Sequence, residues 1–240
     1  FLMTNWYFMA LSLGCLVIIA ISYLSKAGWN TVLKRIPEAV MTYLPWGALV
    51  FGVPFFLYML LTYFDVIHHN VYHWTHEGLG ELLQGKKPYL NVPFFLVRMV
   101  IALGIWAFFA RLLRKDSLKE DDEGGNNWFY AAYKHSAIFM VLFAITITMA
   151  TFDWFMSLEP HWYSTIYGVY GFAGMFVSAW ALITLITIAL KSRGYLQEVN
   201  EEHYHDLGKF MFAFTIFWTY IWVSQFLLIW YGNLPEEVSY

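Results

Sequence analysis

Six runs of apolar residues, at about 5–24, 45–65, 91–113, 135–156, 163–190 and 209–231, reach the ~20 residues that an α-helix needs to cross a bilayer. Backbone N–H and C=O groups find no water in hydrocarbon, so each run must close its own hydrogen bonds as a helix. The chain is therefore expected to be all-α, a polytopic membrane protein built as transmembrane helix bundles. Composition supports this: 60% of the 240 residues are hydrophobic and 13% charged, which leaves no stretch able to form a separate soluble domain. Residues 1–240 then form a single transmembrane domain. Cys15, the lone cysteine, excludes an internal disulfide and any all-cysteine cluster within the chain. The opening FLMTNWYFMALSLG enters the first run without an initiator Met, a basic stretch or a small-residue cleavage site. It does not read as a signal peptide, and the chain is expected to belong to a longer one.

Charge placement orients the spans. The loops after the first, third and fifth runs, with the adjoining helix ends, carry eleven Lys and Arg, among them Lys34, Arg35, Arg114 and Lys191. The other two loops carry only Lys86 and Lys87, and Arg98 lies inside a span. By the positive-inside rule the basic loops are cytoplasmic and the chain opens outside.

Several residues stand out against this apolar background. Asp65, Arg98 and Asp153 all fall near the outer ends of their spans, where a charge facing hydrocarbon is costly and a partner is required. They fit a buried ion pair or triad, part of a proton path or quinone-facing polar site, or side chains snorkelling to the interface. Lys134 and His135 open the fourth span at the inner side, with Thr146 and Thr148 farther along. In the sixth span Tyr220 and Ser224 are four apart and share a face, with Gln225 beside them; they suit either a file of waters or ordinary interhelical bonds. As a proton route, Asp65, Arg98 and Asp153 would form the outer part, Lys134 and His135 the inner part, and Tyr220, Ser224 and Gln225 the middle.

The outer loop HHNVYHWTHEGLGELLQGKKPYLNVP is expected to hold an interfacial helix presenting Trp74. His69, His73 and His76, with Glu77 nearby, would share one face of it, a candidate metal site set against the default of surface or partner-facing histidines. Glu159, Pro160 and His161 read as a tight outer connection, with Trp162 in the aromatic belt. Trp74, Glu159, His161 and Trp162 are the interfacial or partner-docking candidates. His135 lies near the inner surface and His68, His69, His73, His76 and His161 near the outer one, which argues against bis-histidine haem ligation within the chain.

The stretch TFDWFMSLEPHWYSTIYGVYGFAG, with AGWNTVLKRIPEAV at 27–40 and HDLGKFMFAFTIFWTYIWVSQFLLIWYGNLPEE at 205–237, resembles the second quinone-binding-type membrane subunit of bacterial alternative complex III. This subunit belongs to the polysulfide-reductase membrane-subunit (NrfD-like) family. The resemblance covers essentially the whole chain. It implies two four-helix bundles with peripheral helices, in a longer chain of about ten spans in the bacterial inner (cytoplasmic) membrane. It also implies a role as an integral membrane subunit of a quinol:cytochrome c (electron acceptor) oxidoreductase, supporting assembly and proton conduction. The chain itself would bind no cofactor and have no catalytic residue; haem c and iron–sulfur clusters would sit in partner subunits, with quinol as substrate of the complex. The implied partners are the paralogous NrfD-like membrane subunit, a multihaem cytochrome c subunit, an iron–sulfur subunit, small membrane anchors and lipid. Two alternatives stand beside this: a purely structural membrane scaffold, and a stand-alone secondary transporter, for which the glycine-rich YGVYGFAG gives modest support.

Overall fold

The computed structural model describes residues 1–67, 71–75 and 81–233. Within them the chain forms helices α1 (Leu2–Leu24), α2 (Arg35–Met41), α3 (Leu44–Tyr63), α4 (Glu81–Lys86), α5 (Val92–Glu123), α6 (Asn127–Trp154), α7 (Tyr167–Ser192) and α8 (Glu201–Gly232). Two single 3₁₀ turns, His73–Thr75 and Met156–Leu158, complete the regular structure. Among the described residues six helical segments are long and apolar enough to cross a membrane, so the chain is a multi-pass membrane protein.

Helices α5, α6 and α8 start earlier or end later than their apolar runs, because their ends are helix-forming polar sequence. α5 continues through RLLRKDSLKEDDE to Glu123 and stops at Gly124, whose φ of 67° suits glycine. At about 48 Å it is well longer than the ~30 Å of hydrocarbon, so its last turns stand clear of the bilayer at the inner end. α8 begins at an Asn200 cap: the side-chain oxygen accepts from the backbone N–H of Glu202 and His203 at 3.1 and 3.3 Å. Residues 163–166 precede α7 as a turn rather than extending it.

Helices α1, α3, α5 and α6 close a ring in which each packs on two others, α1 on α3, α3 on α5, α5 on α6 and α6 on α1. Their directions alternate, giving an up-down four-helix bundle. α7 packs against α1 and α6 on the flank of this ring, and α8 packs chiefly on α7. Lipid tails are as apolar as leucine, so close contact rather than escape from water holds these helices together. Glycine supplies the contact at two joints. A Cβ on Gly14 would lie 2.6 Å from that of Ala179, where α1 meets α7, and one on Gly171 would lie 2.5 Å from Thr151 Cγ2, where α7 meets α6. The glycines of YGVYGFAG therefore serve helix approach, and α7 runs unbroken through them.

The outer half of the ring is filled with aromatic side chains around Trp154. Its ring centroid lies 5.5 Å from that of Trp6, 5.8 Å from Trp106 and 5.0 Å from Phe51. Residues 71–75 pack over them. Tyr72 is buried and its hydroxyl donates to the Trp154 carbonyl at 2.9 Å, pairing a carbonyl that the end of α6 leaves open. Trp74 Nε1 donates to Ser157 Oγ at 3.3 Å. The expected interfacial helix is thus not continuous, since Val71 and Tyr72 are not helical. Trp74 is correspondingly a plug in the bundle rather than a docking residue, because the bundle mouth offers its indole N–H an acceptor.

Candidate functional site

Two buried charge clusters mark opposite ends of the ring. The outer one is held by α5 and α6. Asn91 caps α5 by accepting from Phe94 N at 3.0 Å, with Pro93 in the first turn, and this places Arg98 a turn and a half into the helix. Arg98 Nε and Nη2 meet the two oxygens of Asp153 at 2.6 and 3.0 Å, a bidentate pair. Arg98 is 5% exposed and Asp153 1%. Nη1 donates to the Tyr89 carbonyl at 3.1 Å, and the guanidinium lies 4.0 Å from the Tyr89 ring centre and 4.3 Å from that of Phe94. Burial, followed by the charge of Asp153, pushes the Tyr89 phenol up to about 12. A cavity of about 40 Å³ lies against the pair and reaches Thr146.

Asp65 does not join this pair. It sits exposed at the outer end of its span, on the turn after α3, with a left-handed φ of 56°. The outer cluster is a pair completed by a backbone carbonyl, not a triad.

The inner cluster centres on Glu38 of α2, whose side chain is wholly buried. Arg35 Nη1 lies 2.5 Å from Glu38 Oε2, and Arg114 and Ser117 of α5 bond the same carboxylate. Arg35 also bonds Ser117 at 3.0 Å and pairs with Asp121. Beside them Lys34 meets Glu120 at 2.9 Å, and the Tyr23 hydroxyl donates to Glu120 at 3.1 Å. Towards α6, buried Asp116 accepts from His135 Nδ1 at 2.6 Å. Lys134 is exposed. Glu38 escaped the sequence reading because it lies in a short helix just ahead of a span. The available signal was an acid followed by the apolar residues Ala39, Val40 and Met41, three residues after the basic pair Lys34-Arg35, in LKRIPEAVM.

Little connects the clusters. Trp106 Nε1 donates to Thr146 Oγ1 at 2.9 Å, and below that bond the ring is filled by Phe109, Leu113, Phe139 and Phe143. Tyr220, Ser224 and Gln225 do not lie between the clusters, as α8 stands outside the ring. Tyr220 is 65% exposed, Ser224 bonds back to the Tyr220 carbonyl, and Gln225 accepts from Ser164 at 2.9 Å.

Of the remaining candidates, Glu159 is half-buried and His161 exposed. Trp162 is buried, edge-on to Tyr167 at 5.7 Å, because the connection folds back over the start of α7, so it too is packed rather than presented. His73 is exposed in its 3₁₀ turn, while His69, His76 and Glu77 lie outside the described residues. Among the described residues no three His, Cys, Asp or Glu gather to hold a metal. The two clusters supply fixed, neutralised charge that joins helices, α5 to α6 at the outer end and α2 to α5 at the inner. In comparisons with known proteins, no family model and no curated protein matches the chain.

Proposed function

We propose that this chain is an integral membrane subunit of a quinol:cytochrome c (electron acceptor) oxidoreductase in a bacterial cytoplasmic membrane, and that its contribution is assembly. One observation carries the assembly role. Only 6% of the membrane-crossing window of α8 is buried, against 72% for α1, and α8 packs chiefly on one neighbour. A helix so little covered, attached to a ring so firmly closed, suits a chain whose remaining faces meet other subunits. The oxidoreductase assignment is supported by the resemblance of the three quoted stretches to the alternative complex III subunit. On this reading quinol oxidation, haem c and the iron–sulfur clusters belong to the partner subunits and the NrfD-like paralogue.

A tag on this chain tests the proposal. Material purified in mild detergent is expected to carry haem c and iron–sulfur subunits and to reduce cytochrome c with quinol in an inhibitor-sensitive way. Purification alone and inactive, under conditions that preserve other membrane assemblies, would overturn it.

Proton conduction is a second reading, favoured by the cavity that joins Arg98 and Asp153 to Thr146. A complete route would have to bridge the layer between Trp106 and Arg114, eight residues or roughly 12 Å along α5.

A further inference from the structure

Neither charge cluster uses the cleft between α7 and α8 at the outer end. It encloses about 490 Å³ and is walled by Tyr167 and Tyr170 on one side and Trp222, Phe226 and Trp230 on the other. Because α8 has little cover beyond α7, the cleft opens towards lipid. Ser164 occupies the Gln225 carbonyl oxygen, while the amide nitrogen of Gln225 meets no acceptor among the described residues. An amide donor at membrane depth is costly to leave unpaired, so the site calls for an acceptor oxygen borne on an apolar body.

A cation lies above it. Lys86 Nζ donates to the Pro160 carbonyl at 2.7 Å and stands 5.4 Å from the centre of the Tyr163 ring. It pairs with no carboxylate among the described residues, and burial lowers its amine below the ordinary 10.5. An ammonium held by one carbonyl and one ring keeps N–H donors for an anion. Pro160 and Ser164 are four residues apart, hence separated by ~14 Å at most. The cation thus stands at the outer surface, and the aromatic cleft runs past the amide donor, with Phe226 and Trp230 on its outer side and Tyr170 and Trp222 on its inner side.

We propose that this cleft seats one glycerophospholipid of the outer leaflet. Its phosphate meets Lys86, an ester carbonyl accepts from the Gln225 amide, and its acyl chains lie between the aromatic walls of α7 and α8. A phospholipid carries an anion, then ester carbonyls, then acyl chains, and beyond Gln225 the cleft continues between Tyr170 and Trp222. A quinone offers a carbonyl but no anion, and would leave Lys86 unused.

The purified protein is washed extensively in detergent and its retained lipid is measured by native mass spectrometry and by extraction. About one phospholipid per chain is expected to persist. Lys86→Gln and Gln225→Leu should each lower retention about tenfold, the loss of one charge-assisted or buried hydrogen bond, with helix content by circular dichroism unchanged. A measurement on the unaltered protein stands beside these variants. In nanodiscs, a phospholipid with a photoactivatable acyl chain should label residues 162–170 and 221–233 and be displaced by unlabelled phospholipid. Even labelling over the whole apolar surface, retention indifferent to both substitutions, or displacement by ubiquinone but not phospholipid would each overturn the proposal.

Discussion

At the scale of single residues the outer ion pair sets a sharp expectation. Removing one partner strands a buried charge, whereas removing both leaves an apolar joint that helices tolerate. Asp153→Ala is therefore expected to cost about 3 kcal/mol or more, and Arg98→Met with Asp153→Leu much less than either single change. Thermal unfolding in detergent gives the comparison; a double variant as weak as the sum of its singles would show that the pair has no coupling. The inner end adds a pH dependence. Burial opposes the Lys34 charge, but its hydrogen bonds with Tyr23 and Glu120 prevail, so the amine titrates above its ordinary 10.5. A raised lysine contributes stability that is whole below 10.5 and lost as pH rises through its folded value. Hydrogen exchange near Tyr23 and Lys34 should accelerate in that alkaline window, and Lys34→Gln should abolish the step. The Arg98–Asp153 pair was legible in the sequence because opposite charges at matching depth in neighbouring spans have few other choices. Glu38 was not, because its partners Arg114 and Ser117 lie in the part of α5 that the apolar run alone assigns to a loop.

At the scale of helices, the glycine joints separate packing from propensity. Gly14→Ala and Gly171→Ala place a Cβ within 2.6 and 2.5 Å of a neighbouring side chain, so the helices must part, at about 1–3 kcal/mol. Gly104 on α5 has nothing within 4 Å of its would-be Cβ. There the helix simply gains a better former, and Gly104→Ala should be neutral or stabilising by up to about 1 kcal/mol. Melting temperatures of the three variants test the contrast, and equal effects at all three would mean that α7 does not approach α1 and α6 so closely. Sequence spacing showed that α7 had a small-residue surface. It did not show which helices met it, since that depends on the ring closing between α1 and α6. The outer loop was misread for a related reason: Tyr72 and Trp74 look like interfacial aromatics until the open end of α6 is there to accept their donors.

At the scale of the whole molecule, burial falls from α1 at the centre to α8 at the edge, and the two long faces of α8 differ. One faces α7 across the aromatic cleft; the other carries Thr215, Thr219, Tyr220, Ser224, Leu227 and Leu228 along an open groove. Hydroxyl-bearing and short side chains on such a face allow a second helix to approach closely and bond across, which lipid tails do not exploit. A photo-crosslinking residue at Tyr220 or Leu228 is accordingly expected to capture another membrane subunit when the protein is irradiated in its native membrane. The same residue at Val141, an exposed position on α6, serves as a reference for general collision with neighbours. Capture from α8 well above that reference, absent after the chain is purified by itself, would place a partner helix in the groove. If α8 and α6 positions yield only lipid adducts alike, α8 is simply lipid-facing and the assembly role loses the observation on which it stands.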